Sequence, residues 1–74
     1  MEKQENIWKY FDYTYKVYSE NEFIIKSLCS EINAIISTSY YINGKEYGWD
    51  VVIQEKQLNK ARKILKRKFW LKIL

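Results

Sequence analysis

Asn43-Gly44 sits between two runs that alternate apolar and polar side chains, ISTSYYI and KEYGWDVVI, in a chain of 74 residues. An Asn-Gly pair supplies the two positive-φ residues of a two-residue hairpin loop. Ile42 then faces Lys45, and Tyr40–Tyr47, Thr38–Trp49 and Ile36–Val51 pair along one face. The opposite face collects Ser37, Ser39, Glu46, Gly48 and Asp50, with Ile35, Tyr41 and Val52. Because side chains alternate with period two, that register sorts them by polarity, and the segment reads as scaffold.

The flanking segments complete one small unit. Lys9 to Tyr18, KYFDYTYKVY, is rich in tyrosine with Thr and Val, which favours a strand with Phe11, Tyr13, Tyr15 and Val17 on one face. Ser19 and Glu22 then have capping-box spacing, Tyr18 and Phe23 the spacing of a hydrophobic staple, and Asn33 is a suitable stop. Ile24, Ile25, Leu28, Cys29 and Ile32 share a helical face between them. From Gln54 the run QEKQLNKARKILKRKF places Leu58, Ala61, Leu65 and Phe69 on one side of a second helix and Lys56, Lys60, Lys63 and Arg67 on the other. The end, FWLKIL, loses the pattern, and extends the helix, adds an edge strand or docks on a partner. The predicted fold is α+β: a βαββα chain with a three-stranded antiparallel sheet, the split βαβ of ferredoxin-like folds. It is a single domain over 1–74, with an arm at 1–8, a core at 9–68 and an apolar tail at 69–74.

A domain of this size buries barely enough surface to offset chain entropy. A lone cysteine, Cys29, excludes an internal disulfide and, with no histidine present, argues against structural zinc. The start, MEKQENIW, has no apolar signal core, and no apolar run approaches the ~20 residues of a membrane span. A soluble, cytoplasmic chain is expected. The net charge of +4 is unevenly spread: five lysines oppose eight acids over residues 1–53, and eight basic residues oppose Glu55 alone over 54–74. The positive potential therefore belongs to the terminal element.

KVYSENEFIIKSLCSEINAIIS and GWDVVIQEKQLNKARKIL resemble the start and end of a small prokaryotic family of signal-transducing proteins with a PII-like, ferredoxin-like fold. The resemblance covers about residues 15–65, chiefly at fold-determining apolar positions. Asn33 stands where that family commonly has glycine, and the aromatic N-terminal segment and basic tail are additions. The resemblance implies a non-catalytic regulatory or interaction domain without a defined ligand.

The residues themselves point the same way. Without histidine the commonest general base is missing, and Cys29 lies on a face expected to be buried. Asp12 and Asp50 are the one pair of acids that could meet, and as strand-surface carboxylates they read as solvated. Gly44 and Gly48 belong to the hairpin, so no phosphate loop exists. No cofactor and no metal are expected. What remains is a basic helix (Lys56, Lys60, Lys63, Arg67) and surplus aromatics (Tyr10, Tyr18 and Tyr41 on the uncovered sheet face, Trp8 near its edge, Trp70 in the tail). These suit a protein interface, in a regulatory subunit or a phage-type inhibitor that occupies an enzyme's nucleic-acid channel. Single-stranded nucleic acid is the alternative partner, and the tail through Trp70 is a candidate homodimer seam.

Overall fold

The computed structural model describes residues 6–67. The chain forms β1 (Ile7–Phe11), β2 (Thr14–Ser19), α1 (Glu22–Glu31), β3 (Ile35–Ile42), β4 (Lys45–Gln54), one 3-10 turn (Glu55–Gln57) and α2 (Leu58–Leu65). The architecture is α+β, with one antiparallel sheet of strand order β1-β2-β4-β3. β4 therefore lies between β2 and β3. The sheet has four strands, not three.

The additional strand comes from the segment expected to be one strand from Lys9 to Tyr18 after an arm ending at residue 8. That segment folds back on itself at Asp12-Tyr13, and Ile7, Trp8 and Lys9 pair with Val17, Lys16 and Tyr15. Tyr13 adopts φ 61°, and Thr14 Oγ1 donates to the Asp12 carbonyl at 3.3 Å. The alternation through Phe11 and Tyr13 resembled a strand because aromatics fill both sides of the turn. Both rings are instead strongly exposed, and only Tyr15 and Val17 of the expected face reach the core.

Both helices pack on one face of the sheet around Val17, Val51 and Ile53, using Ile24, Ile25, Leu28 and Ile32 from α1 and its end, and Ala61 and Ile64 from α2. Cys29 packs against this cluster, and partial burial pushes its thiol pKa up. Leu58 and Leu65 flank the core as expected, but Ile64 is buried more deeply than either. Phe69 and the tail at 69–74 lie outside the described residues.

The start of α1 differs from the capping-box expectation. Ser19 continues β2 by pairing with Trp49, so the helix begins later and Asn21 is its N-cap. Asn21 Oδ1 accepts from the Phe23 and Ile24 N–H groups at 2.9 and 3.4 Å, while Ser19 Oγ accepts from the Asn21 N–H at 3.0 Å. Glu22 pairs with Lys26 at 3.3 Å instead of reaching back. Tyr18 lies over Gly48, on the side of the sheet away from the helices.

The stop at Asn33 is where the sequence placed it. Asn33 has φ 57°, and the Ala34 N–H reaches back to the Leu28 carbonyl at 3.2 Å. Asparagine tolerates this left-handed geometry, whereas a β-branched residue does not. Asn33→Val is expected to cost about 1–2 kcal/mol in urea denaturation, with Asn33→Gly close to neutral. Equal stability of the two variants would remove the conformational argument.

The hairpin keeps the expected register only at its two ends. Ile42 pairs with Lys45 and Tyr41 with Glu46, and farther along Ile36 pairs with Val51 and Ile35 with Val52. Between them the partners are Tyr40–Gly48, Ser39–Trp49 and Thr38–Asp50. Tyr47 is an extra residue on β4 and Ser37 an extra residue on β3, and the two bulges cancel. Val51 is fully buried, while Ile36, on the edge strand, is 46% exposed. The shifted middle turns Thr38 and Tyr40 to the face that no described helix covers.

Candidate functional site

The uncovered face is built from alternate residues of all four strands. Trp8 on β1 pairs with Lys16 on β2, and Tyr18 on β2 pairs with Asp50 on β4. Thr38 and Tyr40 on β3 stand opposite Asp50 and Gly48. Gly48 is the reason the rings can close in: a Cβ there would lie 2.9 Å from Cε1 and Cζ of Tyr18 and closer still to its hydroxyl. The missing side chain lets the Tyr18 ring lie directly on the β4 backbone.

Tyr18 and Tyr40 meet edge to face, with centroids 5.6 Å apart and planes at 73°. Tyr47, the bulge residue, brings its ring to 6.2 Å from Tyr40. With Trp8 and Asn6 they surround an open cleft of about 370 Å³ lined also by Asp50. Asp50 is only 3% exposed. Its Oδ2 accepts from the Tyr40 hydroxyl at 2.6 Å, and its Oδ1 is buried without a hydrogen-bond partner among the described residues.

This corrects the reading of Asp50 as a solvated acid within reach of Asp12. Asp12 occupies the exposed β1–β2 turn, and Asp50 lies beneath the tyrosines. The register shift also follows from Asp50: a buried carboxylate needs donors, and pairing Tyr40 with Gly48 brings a phenol onto it.

The phenols are strong donors held in their protonated form. Burial, and then the hydrogen bond to Glu20 Oε2 at 2.8 Å, push the Tyr18 pKa up to about 12. The hydrogen bond to Asp50, aided by burial, also raises that of Tyr40.

Of the aromatic residues singled out in the sequence, Tyr18 lies in the cleft and Tyr10 beside it on the same face. Tyr10 is 55% exposed, and Lys16 Nζ sits 4.3 Å from its ring centroid. Tyr41 does not join them. Beyond the bulge it pairs with Glu46, and its hydroxyl lies 3.4 Å from Glu46 Oε2. Trp70 is outside the described residues. Tyr40, Tyr47 and Asp50 were missed as site residues, although a glycine inside a strand, Gly48, signals a bulge or a close approach.

The basic residues form no single stripe. A 3-10 turn precedes α2, so Lys56 leaves the helical spacing and borders a different hollow with Tyr13, Thr14, Gln54 and Glu55. Gln57 pins this turn: its Nε2 donates to the Ile32 carbonyl at 2.7 Å, and its Oε1 accepts from the Gln54 N–H at 2.9 Å. Lys60, Lys63 and Arg67 flank a groove between the helices with Glu31, Ile32 and Ile64. Arg67 is already engaged, donating to both Glu31 oxygens at 2.5 and 2.8 Å. That bidentate contact lowers the Glu31 pKa and raises the Arg67 pKa. Lys60 and Lys63 remain exposed, on the helix layer and thus across the sheet from the aromatic cleft.

No helix among the described residues is long and apolar enough to cross a membrane. Nor does any group of three or more metal-ligating side chains converge among them. The chain matches no family model, no curated protein and no solved structure.

Proposed function

We propose that this chain is a non-catalytic interaction module that binds another protein through the uncovered aromatic face of its sheet. The carrying observation is the convergence of Trp8, Tyr18, Tyr40 and Tyr47 on one exposed cleft. Tyrosine and tryptophan provide large contact area at little rotameric cost, and they are enriched at protein interfaces. The groove bearing Lys60 and Lys63 is a second, separate surface on the helix layer.

A ferredoxin-like regulatory or inhibitory domain acting in the cytoplasm is the fuller form of this reading. It is supported by β4 inserting between β2 and β3, and it follows the sequence resemblance to small signal-transducing domains. An inhibitor of a nucleic-acid enzyme fits the same surfaces. Direct single-stranded nucleic-acid binding is favoured by ring stacking on an open sheet. Asp50 at the centre of the face and the placement of Lys60 and Lys63 across the sheet oppose it, because a phosphate backbone needs several cations along the rings and Lys16 beside Tyr10 supplies one.

The test is capture from an extract of the native host, with and without nuclease, by wild type, Trp8→Ala and Lys60→Glu/Lys63→Glu. A captured protein should survive nuclease and fall about tenfold or more with Trp8→Ala. Capture that disappears with nuclease and with the lysine reversals, yet ignores Trp8→Ala, would assign the protein to nucleic acid instead.

A further inference from the structure

We infer that the cleft over Asp50 is a binding subsite for a planar, N–H-bearing cation: the guanidinium of an arginine side chain presented by the partner. The inference rests on the reading of the aromatic face as the binding surface, and names what that face would take.

Three observations carry it. The walls are aromatic and differently oriented: Tyr18 and Tyr40 stand at 73° to one another, and Tyr40 and Tyr47 at 43°. A cation seated in the cleft therefore lies beside rings of several orientations, the kind of wall that aromatic cages use. The floor is negative, since Asp50 is 3% exposed and has no cationic partner among the described residues. Oδ2 is occupied by Tyr40, and Oδ1 has no donor among the described residues. Buried carboxylate oxygens are ordinarily satisfied, and leaving one unpaired is costly. Finally, this face already holds a cation of its own, with Lys16 Nζ 4.3 Å from the Tyr10 ring centroid. That contact aims Lys16 toward Tyr10, on the side away from Tyr40.

The chemistry selects among cations. A quaternary ammonium could use the rings but has no proton to give Oδ1. An ammonium has protons but is compact and strongly hydrated. A guanidinium is planar, weakly hydrated, stacks on aromatic rings and carries N–H donors at its edge. Oδ1 is buried, so the cation first meets the rings of the cleft, and the carboxylate beneath supplies uncompensated charge in a poorly screened setting. An N–H reaches Oδ1 as the cleft rearranges around the bound cation.

The test is an NMR titration of the full chain with ethylguanidinium, its neutral isostere ethylurea, and tetramethylammonium. Ethylguanidinium should shift the Trp8 indole N–H and the backbone amides of Gly48 and Asp50. It should bind about tenfold or more tighter than ethylurea, and tighter than tetramethylammonium. Asp50→Asn keeps an acceptor for Tyr40 while removing the charge, and should reduce ethylguanidinium to the ethylurea level. Trp8→Ala, on the exposed edge strand, should weaken ethylguanidinium similarly and provides the answer if Asp50→Asn fails to fold. Equal binding of ethylguanidinium and ethylurea, pointing to a water held beneath the rings, would overturn the inference. So would shifts confined to the Lys60–Lys63 groove, or undiminished affinity in folded Asp50→Asn. Should the small cations fail while Trp8→Ala still loses the captured partner, the interface reading stands and the arginine subsite falls.

Discussion

Leu28→Ala is expected to remove about 2–5 kcal/mol of stability, the range for deleting a fully buried leucine whose surroundings cannot collapse into the gap. Leu28 is 0% exposed and belongs to the cluster in which α1 meets Val17 and Val51 of the sheet and Ala61 and Ile64 of α2. A domain of this length has a total stability of roughly 4–11 kcal/mol at about 0.05–0.15 kcal/mol per residue. The substitution should therefore leave a measurable unfolded fraction near physiological temperature. Urea denaturation of the variant checks it, with Ile35→Ala as the comparison. Ile35 is 69% exposed on the edge strand, and its truncation should shift stability by no more than about 0.5 kcal/mol. A Leu28→Ala loss below that of Ile35→Ala would mean the core is not centred between the helices and β4.

Gly48→Ala should damage stability and binding together. The added methyl would collide with the Tyr18 ring, so Tyr18 must swing off the β4 backbone. That motion breaks its hydrogen bond to Glu20 and its edge-to-face contact with Tyr40. The expected cost is about 1–3 kcal/mol, the usual range for overpacking a tight site. Because the clash involves one partner, the effect should be strongly non-additive. Tyr18→Ala combined with Gly48→Ala should be less destabilised than the sum of the two single variants. Additive losses in the double-mutant cycle would show that Gly48 is needed for its backbone alone. In the single variant the loss of a defined Tyr18 position should also abolish the ethylguanidinium shifts at Trp8.

Much of the scaffold is written in short-range signals. The Asn43-Gly44 loop pairs Ile42 with Lys45, and Asn33 takes the left-handed turn that its residue type allows. The apolar spacing of α1 marks the buried residues Ile24, Ile25 and Leu28. These features depend on a few neighbouring residues, and local chemistry suffices to fix them.

The site depends on something less local. Simple alternation assigns Tyr40 to the helix side and Tyr41 to the open side. A one-residue bulge reverses that assignment for Thr38 and Tyr40 without changing any residue's polarity. What favours the bulge is a relationship among three strands: Gly48 leaves room for Tyr18, and Asp50 requires the Tyr40 hydroxyl. Periodicity within one hairpin contains no such information. The β1 turn was obscured for a different reason. Tyr13 is an unusual residue for φ 61°, and its aromatic neighbours continue the strand pattern across it. The basic stripe failed through helix geometry, because a single 3-10 turn rotates Lys56 away from Lys60 and Lys63.

The bulges at Ser37 and Tyr47 also mark where the gene can change length. Excising either codon alone would remove a residue outside the ladder and leave every cross-strand partner in place. Excising both would give a regular ribbon in which Tyr40 still faces Gly48 and keeps its acid. The hairpin can thus shorten at these two points without moving its frame, and only the loss at Tyr47 would strip a ring from the pocket.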